Sequence, residues 1–268
     1  MHTIHRYDLD NRKLAYAWSH LPVRQPLVVL HGLGDSAIHT YAPRFAATSL
    51  RETPSLFIDL PGFGEGRATD TYPATLEAMA EDVATLLQSL GVENAPIFAH
   101  SMGANIAMLL AQTHANLCSR FVLGEPLLDP AQSVMAADIA RHSEAIFLER
   151  RFPMLLRATS LQARRGDIAA RAFLSTLQMA NPLIMYRAAV SLIRPRTPDF
   201  LEMLRQSPDR AHLLVGERTE TKDLDIHING IGITRIPEAG HFMMVENDVA
   251  TACAILEVVE DTPYERDC

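Results

Sequence analysis

Short apolar runs punctuate the chain, and their lengths decide what they become. "PLVVLHG" at 26–32, "SLFIDLPG" at 55–62, "APIFAH" at 95–100 and "RFVLG" at 120–124 are continuous apolar stretches, each too short for a helix. Runs of this kind are strands buried on both faces, as in parallel sheets, rather than half-exposed strands. Between them the period changes. "TLEAMAEDVATLLQSLG", 75–91, places apolar residues at 76, 79, 83, 86, 87 and 90 and ends on a glycine, which predicts an amphipathic helix. "GANIAMLLAQTH", 103–114, is helical in pattern and nearly all apolar, so a buried helix is expected. At the start, "TIHRYDL" and "KLAYAW" alternate polar and apolar positions around the turn "DNR", which reads as a hairpin.

Strands alternating with helices at this pace predict an α/β fold with a mostly parallel, doubly wound sheet. The alternation then stops. Segment 126–207 carries helical patterns such as "VMAADIARHSEAIFLERRF" and "DIAARAFLSTLQMA", punctuated by prolines at 153, 182, 195 and 198 and followed by another at 208, with no clear strand. Strand patterns return in "AHLLVG", 211–216, and "GIGITRIP", 230–237, before a closing helix at 248–260. The expected organisation is a core domain of 1–125 and 208–268 interrupted by a helical insertion at 126–207. The length of 268 residues suits one large α/β domain with an insertion.

Composition narrows the function classes. The chain is 48% hydrophobic, yet no apolar run reaches the roughly 18 residues of a membrane span, so no membrane partner is expected. The first residues lack the basic start and apolar stretch of a signal peptide, which makes a cytoplasmic location the expectation. A net charge of −8 argues against nucleic acid as a partner. The three cysteines, at 118, 253 and 268, show no CxxC spacing and suggest neither a disulfide framework nor a zinc knuckle. Charge is unevenly spread: residues 126–205 hold eleven arginines against seven acids. Guanidinium groups bind carboxylates in a bidentate fork, so the excess points to a small-molecule substrate that is anionic; the alternative is a solvated face.

Candidate chemistry begins at "FAHSMGANIA", 98–107, where Ser101 lies between a buried strand and a buried helix. Small residues at 99 and 103 suit a sharp strand-to-helix turn that exposes a serine Oγ at the C-terminal edge of a sheet. Read locally, Ser101 is either a nucleophile or a helix N-cap. "LHGLGDS", 30–36, follows another strand, and its glycines let backbone approach a ligand, so the Leu33 N–H and the Met102 N–H are candidate oxyanion donors. "PEAGHFMMVEN", 237–247, puts His241 on a loop after the last strand, where an imidazole would serve as base. Asp59 reads as a structural turn residue, His31 and His100 as packing or supporting residues beside the site, Met243 and Met244 as core, and Asp35 and Ser36 as a helix start. There is no P-loop, HExxH or GxGxxG, so no cofactor and no metal is expected.

"HGLGDS", "IDLPGFGEG", "AHSMG" and "AGHFMMVEN", in this order and spacing, resemble the α/β-hydrolase fold superfamily over about residues 10–125 and 208–260. The resemblance implies Ser101 as nucleophile, His241 as general base, Leu33 and Met102 as oxyanion-hole donors, and 126–207 as the helical cap. One position departs from it: the family's acid commonly follows the strand at 211–216, and there this chain has Thr219. Glu125, at the end of the 120–124 strand, and Glu220, one residue late, are the candidate acids, with Glu125 preferred. Asp223 and Asp225 read as loop and surface charges, and a Ser–His dyad is the remaining option. The implied function is a serine hydrolase, carboxylesterase-like, cleaving an ester, lactone or thioester through an acyl-enzyme. Alternatives on the same fold are a C–C bond hydrolase, a cofactor-independent oxygenase or lyase, and a non-catalytic ligand-binding protein.

Overall fold

The computed structural model of the chain describes residues 3–129, 133–219 and 230–260. Its strands are β1 (Ile4–Leu9), β2 (Arg12–Trp18), β3 (Leu27–Leu30), β4 (Ser55–Asp59), β5 (Arg67–Ala68), β6 (Ala95–His100), β7 (Cys118–Gly124), β8 (Ala211–Gly216) and β9 (Gly232–Ile236). They form one sheet in the order β1-β2-β4-β3-β6-β7-β8-β9, with β5 paired to β2. The β1–β2 hairpin and the β2–β4 pair are antiparallel; every pair from β4 across to β9 is parallel.

The apolar runs sort by parity into two buried clusters. Val28, Leu30, Leu56, Ile58, Ile97, Ala99, Leu123 and Leu213 belong to one, together with residues of the Leu76–Ser89 and Met102–Thr113 helices. Leu27, Val29, Phe57, Phe98, Val122 and Leu214 belong to the other, with Phe45 and with Ala252, Ala254 and Ile255 of the closing Asp248–Glu260 helix. Successive side chains on a strand point to opposite faces, so a strand covered on both sides must be apolar throughout. That is why these segments read as unbroken runs.

Between β7 and β8 every described element is helical, including Val134–Ala140, Phe152–Arg164, Ile168–Leu177, Pro182–Ile193 and Phe200–Arg205. The run at 134–152 is not one helix. It breaks at 141–143, where Ser143 starts a new turn by accepting from the Ile146 N–H. Local capping sets the other starts: Asp167 accepts from Ala170 N, and Asn181 accepts from Leu183 N at 3.0 Å with Pro182 in the first helical position. The insertion is held by specific contacts to residues 62–76, which follow β4. Asn181 N donates to Gly62 O at 2.8 Å, Leu76 N to Ser191 Oγ at 3.0 Å, and the Arg187 guanidinium to the carbonyls of Asp70 and Tyr72. Phe173, Leu177 and Ile184 join the same apolar cluster as Leu33, Leu60 and Met102. Among the described residues no helix is long and apolar enough to cross a membrane.

Candidate active site

Parallel strands end on one edge, and the sequence motifs meet there. Leu30 of β3 pairs with Ala99 of β6, His100 with Gly124 of β7, and Gly124 with Leu214 of β8. The residues that follow these strands, 31–33, 101, 125 and 217–219, are therefore neighbours.

Ser101 sits at φ 53° and ψ −123°, a region non-glycine residues avoid at about 1–3 kcal/mol. Three contacts hold it: its N–H donates to Gly124 O at 2.7 Å, its carbonyl accepts from Ala104 N at 2.9 Å, and Gly103 lies against the β3 end. A Cβ on Gly103 would stand 2.6 Å from His31 O, so only glycine permits the helix to start this close to β3. Ser101 occupies the N-cap position of the Met102–Thr113 helix, but its side chain makes no capping hydrogen bond. The local N-cap reading is thereby removed. Among the described residues the Leu33 and Met102 N–H groups donate to no other group of the chain.

His241 lies 116 residues from Glu125 in sequence, yet its Nδ1 is 2.6 Å from Glu125 Oε2. The Glu125 side chain is 7% exposed and that of His241 44%. Glu125 also has a left-handed backbone (φ 44°), and its N–H donates to Leu214 O at 3.0 Å. Burial alone would raise its carboxyl. The hydrogen bonds and charge of His241, with donors from Thr219 and Gly216, outweigh that and hold it below the ordinary carboxylate value. With Nδ1–H directed at a carboxylate, His241 Nε2 is left as the proton acceptor. The loop bearing His241 approaches β8 closely: a Cβ on Gly216 would lie 2.4 Å from Gly240 O. Glu246 secures the loop from behind by accepting from Gly240 N at 2.9 Å. Glu220, Asp223 and Asp225 lie outside the described residues.

The neighbouring polar residues have structural partners. Asp59 accepts from Ser36 Oγ, Ile38 N and Glu65 N and so ties the β3 and β4 loops together. Ser36 in turn caps the helical turn after it through His39 N. His31 Nε2 accepts from Leu60 N at 3.0 Å, which leaves Nδ1 as the donor to Gly32 O. His100 does more than pack: its Nε2 donates to the His241 carbonyl at 2.7 Å and its ring centroid lies 4.7 Å from that of His241. Asn105, a polar residue in an apolar helix, clamps the segment after Glu125, giving to Leu127 O at 2.7 Å and taking from Leu127 N at 3.1 Å. Its polarity in "GANIAMLLAQTH" was the available signal, and it was missed.

The arginine excess does not converge on one buried point. Arg141 and Arg151 pair with Asp138, Arg187 with Glu144, and Arg194 and Arg196 with Glu77. Arg150, Arg157, Arg164, Arg165, Arg171 and Arg205 are exposed. Above the site the insertion presents Phe173, whose ring is tilted against Phe242, the neighbour of His241, at 5.3 Å between centroids, and which packs on Gly34 of the β3 loop.

Known proteins share this fold. A thermophilic esterase from Thermogutta terrifontis, solved with malate bound, superposes with a TM-score of 0.76 at 20% identity, over 96% of this chain and 98% of that one, a likeness of fold. The hydrolase YugF of Bacillus subtilis, itself uncharacterised, is 32% identical over 45% of this chain and 43% of its own length. The sn-1-specific diacylglycerol lipase ABHD11 of Xenopus tropicalis is 27% identical over 66% of this chain and 57% of its own. The chain thus spans about half the length of the curated relatives it matches. The family described as the alpha/beta hydrolase family matches residues 27–254, most of the chain, and to that family this protein belongs.

Proposed function

We propose that the protein is a serine hydrolase that cleaves a small acyl compound, an ester, lactone or thioester, through an acyl-enzyme. Ser101 is the nucleophile, His241 the general base, Glu125 the acid that orients it, and Leu33 and Met102 the oxyanion donors. The helical segment 126–207 is a cap over a core of 1–125 and 208–268. The observation that carries this reading is the 2.6 Å hydrogen bond from His241 to Glu125, with the His241 carbonyl held by His100, the residue before the strained Ser101.

In the first step the Ser101 Oγ–H proton passes to His241 Nε2 while Oγ attacks the carbonyl carbon. The oxyanion forms between the two free N–H groups, each worth about 3 kcal/mol of barrier. His241 then gives its proton to the leaving alcohol or thiol. Water, deprotonated by His241, releases the acid and restores Ser101. Throughout, Glu125 holds the Nδ1–H and stabilises the imidazolium. Among the described residues Ser101 Oγ makes no hydrogen bond, which suits a nucleophile whose contact to the base tightens only with substrate present.

Treatment with a fluorophosphonate probe followed by intact-mass measurement is expected to give one adduct on wild type and none on Ser101→Ala. Ser101→Ala should also lose almost all turnover of 4-nitrophenyl butyrate. An unlabelled wild type, or an active Ser101→Ala, would refute the proposal. With the arginines paired or solvent-facing, a carboxylate-bearing ester should show no kcat/KM advantage over its neutral analogue.

A further inference from the structure

The position that departs from the resemblance, Thr219, is not idle. Its Oγ1 donates to Glu125 Oε1 at 2.5 Å, and the Gly216 N–H donates to the same oxygen at 3.0 Å. The other oxygen, Oε2, takes the His241 Nδ1–H. The carboxylate is thus divided: one oxygen faces the imidazole, the other is pinned by two donors from the turn after β8. A glutamate has one more rotatable bond than an aspartate, and its terminal torsion is broad. Without donors on Oε1 the group would turn about that torsion and let Oε2 leave Nδ1.

The turn itself is well held. Thr219 N donates to Gly216 O at 3.0 Å, Arg218 N to Ala239 O at 2.8 Å, and Glu217 N to Ile236 O at 2.9 Å. Two of these bonds reach the strand and loop that lead to His241, so one small frame carries both the donor to Glu125 and the imidazole. A carboxylate at position 219 would put two negative groups in contact, whereas a hydroxyl supplies the proton that Oε1 needs. From this geometry we infer that Thr219 is the positioning residue of the site: it sets the torsion of the Glu125 carboxylate, and through it the orientation of His241.

The inference rests on the proposed Ser101–His241–Glu125 arrangement, so its test contains a control for that reading. Three variants are compared with wild type: Thr219→Val, which keeps shape and removes the hydroxyl, Thr219→Ser, which keeps the hydroxyl, and Glu125→Gln. Turnover of 4-nitrophenyl butyrate, the rate of fluorophosphonate labelling, the melting temperature and the downfield proton resonance of His241 Nδ1–H are measured for each. Losing one hydrogen bond to a charged group is expected to lower kcat in Thr219→Val by about tenfold, with KM changed by no more than about twofold. The Nδ1–H resonance should move upfield or broaden. Thr219→Ser should restore both kcat and resonance. Should Thr219→Val not fold, Thr219→Ala takes its place, with the same expectation. A Thr219→Val protein with wild-type kcat and resonance overturns the inference, as does a Thr219→Ser protein impaired as much as Thr219→Val. If Glu125→Gln keeps full turnover, the proposed acid itself is wrong and the inference falls with it. If Glu125→Gln is inactive while Thr219→Val is normal, only the inference falls.

Discussion

Lowering the pH from about 7.5 to about 5 is expected to destabilise the fold by about 2 kcal/mol through His100 alone. His100 is 3% exposed, its Nε2–H is committed to the His241 carbonyl, and its Nδ1 is buried without a partner. A second proton would therefore enter a closed space beside the rings of His241, Tyr41 and Phe242. Burial pushes the imidazole down from 6.5 to about 3, with His241 adding to the effect and Glu125 opposing it. In the unfolded chain the same residue takes its proton as the pH falls through about 6.5. Between about 6.5 and 3 the unfolded state therefore binds more protons, and stability falls as pH falls. At about pH 5 the gap from 6.5 is about 1.5 units, and 1.36 kcal/mol per unit gives the figure above. Glu125 acts in a different window. Its folded value lies below the ordinary one, so its contribution is present above the unfolded carboxylate value and is lost only as pH falls toward the lower folded value. The assay is urea unfolding with linear extrapolation at both pH values, on wild type and His100→Gln. His212, also held low by burial, contributes to both proteins and cancels in the comparison. The variant should start less stable but lose about 2 kcal/mol less on acidification. Equal losses in the two proteins would refute the argument.

Two further substitutions test the supports of the site. Gly216→Ala would place a Cβ 2.4 Å from Gly240 O and 2.7 Å from Ala239 O, so the His241 loop must move. Under the proposed function, turnover of 4-nitrophenyl butyrate should fall at least about tenfold at a stability cost of about 1–3 kcal/mol, and normal turnover would show that the loop tolerates the shift. Asn105→Ala leaves Leu127 N–H and C=O without partners. A loss of about 2–4 kcal/mol should appear as a melting temperature several degrees lower, and an unchanged melting curve would show that water replaces the amide.

The sequence by itself determined the parallel sheet, the hairpin before it, the helical insertion, and the neighbourhood of Ser101 and His241. These are local matters. A strand covered on both faces must be apolar at every position, and a serine forced to φ 53° needs a small residue such as Gly103 beside it. Local pattern failed where the deciding term was a cap or a very short pairing. Ser143 breaks the helical run at 134–152, and β5 has only two residues, too few to leave a pattern. The charge pattern of 126–205 does not record its partners: Arg141 and Arg151 meet the nearby Asp138, whereas Arg194 and Arg196 share Glu77, far along the chain.

Only the tertiary structure decided which carboxylate reaches His241. Glu125 and Thr219 follow different strands, and nothing in either segment encodes that β7 and β8 are neighbours in register. Once they are, Thr219 and His241 both reach the Glu125 carboxylate, and the residue that departs from the resemblance is a donor to it. Side-chain hydrogen bonds depend on fractions of an ångström between segments about a hundred residues apart, which hydrophobic periodicity does not record.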